Sequence, residues 1–430
     1  MMERTYVSDL KTDSGEVILR GWAHEIRDLA KLKFILLRDS TGIVQCILKD
    51  KGQFEKFSEL SLESVIEIKG NVKEASVKAE FARKDVEVEV IGFEIMNKSE
   101  DLPIQVNEKT IKTELPNRLD YRQLDIRKLK IRAIFNVQST IINAFREYFY
   151  GRGFIEMQPP AIIGTSTEGG TDLFKIKYFE RDAYLAQSPQ LYKQLAAISW
   201  ERVFSTSTVW RAEKHDTTKH INEIRQMDIE VAFEDDMQSM KHLEESVRFI
   251  VEKVLERNEK DLEILGLKGK IKVPNAKYLT YTEAIDIMNK NGFSMKVGDD
   301  FEPEAERKLC SLFQGDIVFT YEWPVSIKPF YIWPKDKAKD ISGGFDALYG
   351  GIEISSGGQR VHDVDVLISQ LKDNGLKPKD FKWYIDAFRY GAPIHSGWSI
   401  GLERMTQALL GLDNIREGTL FPRDRRRLTP

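Results

Sequence analysis

The hydrophobic pattern of this chain changes period once, and that change constrains what the chain can fold into. Up to Met96 the apolar residues fall in short β-rich runs, whereas from Ile134 they recur at helical spacing. Glu16–Trp22, Lys33–Asp39, Ile43–Leu48, Ser64–Val72 and Asp85–Met96 each carry strand formers. Val86, Val88 and Val90 alternate with Glu87 and Glu89, as a half-buried strand requires. Ile134, Val137, Ile141, Phe145 and Phe149 then mark an amphipathic helix closed by Gly151 and Gly153.

Five short strands joined by turn residues fit a β-barrel of the oligonucleotide-binding (OB) type, and a two-sheet sandwich fits the same periodicity. Later strands such as Arg202–Thr208 and Ile317–Tyr321 mix with helices such as Met240–Arg257 without strict alternation. That order predicts an α+β domain, a mostly antiparallel sheet flanked by helices. The expected organisation is a barrel domain over residues 1–100, a charged hinge or linker over 101–130 containing Pro103 and Pro116, and the α+β domain over 131–430.

Composition removes several classes of function. Only Cys46 and Cys310 are present, far apart and without metal-ligand spacing, which argues against a disulfide scaffold or a zinc site. A formal net charge of −4 excludes coating nucleic acid by bulk charge, but leaves room for recognition by a few arginines and aromatics. No unbroken apolar run is long enough to span a bilayer and no charged-then-apolar leader opens the chain, so a cytoplasmic protein without a membrane partner is expected. The basic run Arg423-Asp424-Arg425-Arg426-Arg427 is of a kind usually found as a solvated end.

Three segments carry chemistry. Gly351-Ile352-Glu353-Ile354-Ser355-Ser356-Gly357-Gly358-Gln359-Arg360, Arg211-Ala212-Glu213 and Gly401-Leu402-Glu403-Arg404 each set carboxylates or arginines beside glycine or strand-like residues. Such a set suits ATP, magnesium and a small acidic substrate, because nucleotidyl transfer needs chiefly positioning and neutralisation of charge. Asp346 and Glu353 flank Gly350-Gly351, a pair that suits a tight hairpin turn, and with the Ser356 hydroxyl they offer hard oxygen ligands to Mg2+. Taken singly, each residue also has a plain reading: Arg211 as a surface ion pair, Lys193 as an exposed helix lysine, Phe34 as strand core, and Asp346 and Glu353 as acids on a bland hairpin.

In this order the segments resemble the class II aminoacyl-tRNA synthetases, and within them the aspartyl enzymes of archaeal and eukaryotic type. Gly153-Phe154-Ile155-Glu156, running to Pro160, is similar to the family's first motif, a helix and strand at a dimer interface. Trp210-Arg211-Ala212-Glu213, with His220 and Asp228-Ile229-Glu230, is similar to the second, and Gly397 to Arg404 to the third. Gln187-Ser188-Pro189-Gln190-Leu191-Tyr192-Lys193, Thr167-Glu168-Gly169-Gly170 and Glu353 to Arg360 resemble the aspartate enzymes in particular.

The resemblance implies a homodimeric aspartate–tRNA ligase using ATP and Mg2+, with tRNA(Asp) as acceptor, tRNA(Asn) left open as a second one, and no DNA partner. It places ATP at Arg211, Glu213, His220, Ile221, Glu353, Gly401 and Arg404, of which Arg211, Arg404 and Glu353 are catalytic. It places aspartate at Glu168, Ser188, Gln190, Lys193, Asp228, Ser356 and Arg360, the metal at Asp346, Glu353 and Ser356, and the anticodon at Arg27, Phe34 and Gln45. Lys193 and Arg360 would select the acid over its amide, since a carboxylate is met best by cations, one of them a planar fork. The tail arginines would be structural or near the acceptor stem. Departures from the family pattern are Ser399, where a glycine is typical, Ala30-Lys31 after Asp28-Leu29, and His24 on the strand before them. The rival readings are an asparaginyl-tRNA synthetase, a paralogue making asparagine from aspartyl-adenylate, and a synthetase-derived protein that binds tRNA without catalysis.

Overall fold

A computed structural model of the protein describes residues 3–29, 32–107, 112–164, 173–214 and 217–430. It divides into two compact units, Met1–Lys128 and Leu129–Pro430. In the first unit, strands β1 (Glu16–Leu29), β2 (Leu32–Arg38), β3 (Ile43–Leu48), β4 (Val65–Glu74) and β5 (Ala82–Asn97) close into a barrel in the order β1-β2-β3-β5-β4. Of the two all-β readings, the barrel is the one that forms. The device is the length of β1: Glu16–Trp22 pairs with β4, Trp22–Leu29 pairs with β2, and a register shift between Ala23 and Glu25 bends the strand between its two partners. The second half of β1 lies beyond the expected end at Trp22, because Glu25, Arg27 and Asp28 mask the alternation with charge. Leu19, Ala23, Ile35, Leu37, Val44 and Val88 fill the interior.

A buried ion network ties β1 and β2 to the segment before β4. Arg38 donates from Nη1 and Nη2 to the two carboxylate oxygens of Glu63, at 2.9 and 2.7 Å, and its Nη1 lies 2.9 Å from His24 Nδ1. Arg127 Nη1 adds a third donor to Glu63 at 3.2 Å. Burial alone would push the Glu63 carboxyl up from 4.5, but its hydrogen bonding with His24 and the charge of Arg38 outweigh burial and hold it at about 2. This folded-state depression gives stability that is complete above about 4.5 and is lost as pH falls toward about 2. Replacing Glu63 with Gln is therefore expected to cost roughly 3–5 kcal/mol at neutral pH, by leaving Arg38 buried without its counter-charge. In urea denaturation of the full chain, the gap between variant and parent should close as pH is lowered through that window.

The second unit is built on one mixed sheet. The elements that position the site, in chain order, are α1 (Leu129–Tyr150), β6 (Ile155–Glu156), β7 (Ile162–Ile163), β8 (Lys175–Tyr178), β9 (Arg181–Leu185), α2 (Gln190–Trp200), β10 (Arg202–Trp210) and β11 (Glu223–Ala232). They continue with α3 (Asp236–Arg257), β12 (Ala276–Thr280), α4 (Pro303–Leu312), β13 (Ile317–Tyr321), β14 (Gly344–Tyr349), β15 (Ile352–Gln359), β16 (His395–Gly401) and α5 (Leu402–Leu410). The main sheet runs β12-β13-β14-β15-β16-β11-β10-β6, and β7-β9-β8 form a separate small one. Its inner pairs are antiparallel, while β12–β13 and β10–β6 at the two edges are parallel.

Local chemistry sets the boundaries. Helix α3 begins at Asp236 rather than Met240, because Asp235 and Gln238 form a reciprocal capping box. Along α1, Ile134, Val137, Ile141, Phe145 and Phe149 are all buried, and the two phenylalanine rings lie 6.2 and 5.8 Å from Trp398 of β16. Gly350 and Gly351 turn the β14–β15 hairpin with φ of 60° and 87°, the left-handed pair that a two-residue turn demands. The basic tail is pinned at its start, where Asn222 N donates to Arg423 O at 2.7 Å and Arg416 Nε donates to Asp424 at 2.7 Å, while Arg425 and Arg426 are exposed. Among the described residues no helix is long and apolar enough to cross a membrane.

Candidate active site

Strand β11 carries Asp228 and Glu230, two residues apart and so on one face. Both are buried, as is Lys193, which the first turn of α2 brings over them. Lys193 Nζ donates to Asp228 Oδ1 at 3.0 Å and to Trp398 O at 3.1 Å, and lies 3.5 Å from Glu230 Oε2. Arg360, immediately after β15, grips Glu230 with its fork, Nε to Oε1 at 2.7 Å and Nη2 to Oε2 at 3.2 Å. Gly397 makes room for this arrangement, since a Cβ there would lie 2.2 Å from Glu230 Oε2. The two cations thus converge on one spot, as the sequence reading required, but each is paired with a protein carboxylate. Lys193 is not the exposed helix lysine of its plain reading.

The charges respond to this packing. Although burial opposes it, Arg360 and Lys193 hold the Glu230 carboxyl below its usual range. Burial raises Asp228, against the pull of Lys193, and Ser399 faces it across the β11–β16 pair. Asp228 Oδ2 is buried and makes no hydrogen bond among the described residues.

Over this floor lies a cleft of about 340 Å³. Arg211, Glu213, His220 and Ile221 line one wall, Glu353 and Ser356 of β15 another, and Gly401 and Arg404 a third; Ser188, Gln190, Lys193 and Arg360 line the inner end. Arg211 and Glu213 follow the end of β10, so strand alternation does not set them on one face as expected. Instead the Asn222 side chain holds that segment, donating to Arg211 O at 2.7 Å and Glu213 O at 3.1 Å. Arg404 Nη1 donates to Glu353 O at 3.1 Å and stands 3.7 Å from its carboxylate. Depth in the molecule, with Asp346 and Glu306 nearby, pushes the Glu353 carboxyl up to about 7 despite the charge of Arg404; its side chain is 35% open to the cleft, where water screens part of that effect. Asp346 sits opposite Ser356 in the β14–β15 register. Two carboxylates and a hydroxyl are donors of the kind Mg2+ prefers. Among the described residues no group of three or more His, Cys, Asp or Glu side chains is placed to hold a metal unaided.

A family model for class II tRNA synthetases (D, K and N) matches residues 114–425, and one for the OB-fold nucleic acid binding domain matches residues 17–97. The chain is 44% identical over 440 residues to an aspartate–tRNA(Asp/Asn) ligase of Methanopyrus kandleri, covering 100% of each. It is 40% identical over 436 residues to an aspartate–tRNA(Asp) ligase of Thermoplasma acidophilum, again covering 100% of each. Among solved structures, asparaginyl-tRNA synthetase of Pyrococcus horikoshii with asparaginyl-adenylate matches with a TM-score of 0.91 at 35% identity, covering 100% of both chains.

The chain belongs to the class II aminoacyl-tRNA synthetases. It is thus a ligase that charges tRNA using ATP.

Several site residues of this synthetase were not singled out from sequence. Glu230 was seen only as part of a motif, although its spacing of two from Asp228 was the available signal. Glu403 is buried in the cleft wall, accepts from Arg225 N at 3.1 Å, and is pushed up to about 7 by burial. Gln194 orders the inner end by accepting from Gln190 Nε2 at 3.0 Å and Tyr384 OH at 2.9 Å. Ser399 lies mid-strand between Asp228 and Ser356. Glu168, the loop Thr167 to Gly170, and Ala30-Lys31 lie outside the described residues.

Arg27, Phe34 and Gln45 belong to the first unit. Arg27 and Phe34 are directly paired across β1–β2, and Gln45 pairs with Leu36, two residues along the same face. Phe34 is half-buried and outside the barrel core, which takes its neighbour Ile35 instead. Arg27 pairs with Glu25 at 2.6 Å, and Gln45 donates to Glu87 at 2.9 Å.

Removing the ammonium of Lys193 leaves Asp228 and Glu230 under-compensated in a buried site. Lys193→Met is expected to cost roughly 3–5 kcal/mol in chemical denaturation. The double variant Lys193→Met/Asp228→Asn should recover part of that loss, since it removes a charge left without its partner.

Proposed function

We propose that this synthetase activates L-aspartate with ATP to form aspartyl-adenylate and pyrophosphate, then transfers the aspartyl group to the 3′ end of tRNA(Asp). The observation that carries this reading is the convergence of Lys193 and the Arg360 fork at the inner end of a cleft whose outer walls hold Arg211, Glu353 and Arg404. An amino-acid side chain that reaches this end meets an ammonium and a planar guanidinium, the pair best suited to a carboxylate. Ser188 and Gln190 seat the substrate backbone, and Asp228, with one oxygen lacking a hydrogen bond, receives its ammonium.

In the first step the substrate α-carboxylate attacks the α-phosphorus of ATP, and the bond to the pyrophosphate leaving group breaks. Negative charge approaches negative charge, so Arg211 beside the α-phosphate offsets repulsion and steadies the crowded transition state. Arg404, with His220, holds the terminal phosphate, while Glu213 and Ile221 border the adenosine and Gly401 opens the third wall to it. Asp346, Glu353 and Ser356 would hold Mg2+, which when bound would supply charge neutralisation on the phosphate oxygens. No enzyme nucleophile is required, and in the second step the adenylate phosphate takes the proton from the ribose hydroxyl. The chain works as a homodimer, with the α1–β6 region at the interface. Arg27, Phe34 and Gln45 read the anticodon, the ring stacking on a base while the polar groups meet base edges.

The test is ATP–pyrophosphate exchange with aspartate and asparagine in parallel, followed by charging of tRNA(Asp) and tRNA(Asn). Aspartate-dependent exchange and charging of tRNA(Asp) are expected; exchange with asparagine at the same rate would overturn the reading. Arg360→Lys keeps the charge but loses the fork, and should lower kcat/KM for aspartate by at least about 30-fold with little change in KM for ATP, from a discrimination of roughly 2–5 kcal/mol. Phe34→Ala should weaken tRNA(Asp) binding by roughly 1–3 kcal/mol in a filter-binding titration while leaving tRNA-independent exchange unchanged.

A further inference from the structure

Three carboxylates near the β14–β15 hairpin each hold a cation. Asp346 holds Lys328, with Nζ 2.6 Å from Oδ2; Glu306 of α4 holds Lys219 at 2.6 Å; and Glu353 holds Arg404. Lys328 is distinguished by how its stem is guided. Its ammonium lies 4.1 Å from the ring centroid of Trp323, a cation–π contact. Its Cγ lies against Gly344, where a Cβ would come within 3.2 Å. Ring and glycine together direct the side chain toward Asp346, and the two paired side chains are only 11% and 12% exposed. Lys328 also lines the cleft in which Glu353, Ser356 and Arg404 stand.

An ammonium is a compact charge on a flexible stem with three donors, so it can exchange one oxyanion for another with small movements of its end. Asp346 and Glu353 on the same hairpin would repel both each other and an incoming triphosphate unless a cation offsets them. We propose that Lys328 is a triphosphate-binding residue of this synthetase, resting on Asp346 until ATP arrives and then passing to a β- or γ-phosphate oxygen as Asp346 turns to the metal ion. This rests on the ATP and Mg2+ reading given above. The pairing leaves Asp346 neutralised in both states, first by Lys328 and then by the divalent ion. A purely structural ion pair would do neither job, contributing only to stability.

Lys328→Met keeps the stem against Trp323 and Gly344 but removes the charge, and the two ligands should respond in opposite directions. Mn2+ alone, followed by electron paramagnetic resonance on nucleotide-free protein, should bind about tenfold tighter than to the parent, because Asp346 has lost its competitor. A non-hydrolysable ATP analogue with Mg2+, followed by calorimetry, should bind about tenfold more weakly. Lys328→Arg should restore analogue affinity to within about threefold of the parent. Asp346→Asn frees Lys328, so the metal-free analogue should bind about tenfold tighter than to the parent, which tests the exchange even if Lys328→Met does not fold. Unchanged Mn2+ and analogue affinities in Lys328→Met, with only a lower melting temperature, would overturn the proposal, as would unchanged metal-free analogue affinity in Asp346→Asn. If the parent itself binds no analogue, the functional reading falls with it; if the parent binds and the variants bind equally, this inference alone falls.

Discussion

The buried quartet of Lys193, Arg360, Asp228 and Glu230 is the constraint around which the rest of the synthetase domain is arranged. Two cations and two carboxylates are packed almost wholly out of solvent, and each is tolerable only because the others stand within hydrogen-bonding or ion-pair distance. The floor is formally neutral. In the proposed reading, recognition of an acidic side chain rests on where the positive charges of this floor are presented, not on a surplus of them. Glu230 has the central place: it orients the Arg360 fork while Lys193 spans the gap to Asp228.

The main sheet exists, in functional terms, to hold this quartet still. The two carboxylates share one face of β11, Arg360 leaves the end of β15, and β16 runs between them with a glycine opposite Glu230. Aromatic packing from α1 onto Trp398 supports the far side of the same strand. The β14–β15 hairpin, turned by Gly350 and Gly351, carries Asp346 and Glu353, so one continuous sheet sets the distance between these acids and the buried quartet. Sites built on adjacent strands keep such distances better than sites built on loops.

Much of this was legible in the residues. Alternation exposed the barrel strands, and helical spacing exposed α1. The glycine pair marked its hairpin because only glycine takes both left-handed positions at no steric cost. Barrel closure was less visible, because it depends on β1 changing partners at a bulge under a run of charged residues. The burial of Lys193 was invisible locally: its two hydrogen-bond partners lie 35 and 205 positions away, and nothing in the helix that carries it distinguishes a buried ammonium from a solvated one. Ser399 shows the same limit. In the sequence it is only a departure from a glycine-rich pattern, and the strand register sets it between Asp228 and Ser356.

The most direct measurement is a crystal structure of the protein with a non-cleavable aspartyl-adenylate analogue, in which the sulfamoyl group replaces the phosphate. The account predicts the β-carboxylate of the analogue at ~3 Å from both the Arg360 guanidinium and Lys193 Nζ, with Glu230 still holding the opposite edge of the fork. An aspartyl side chain seated away from these two cations, or an Arg360 that has left Glu230 to swing out of the cleft, would contradict it.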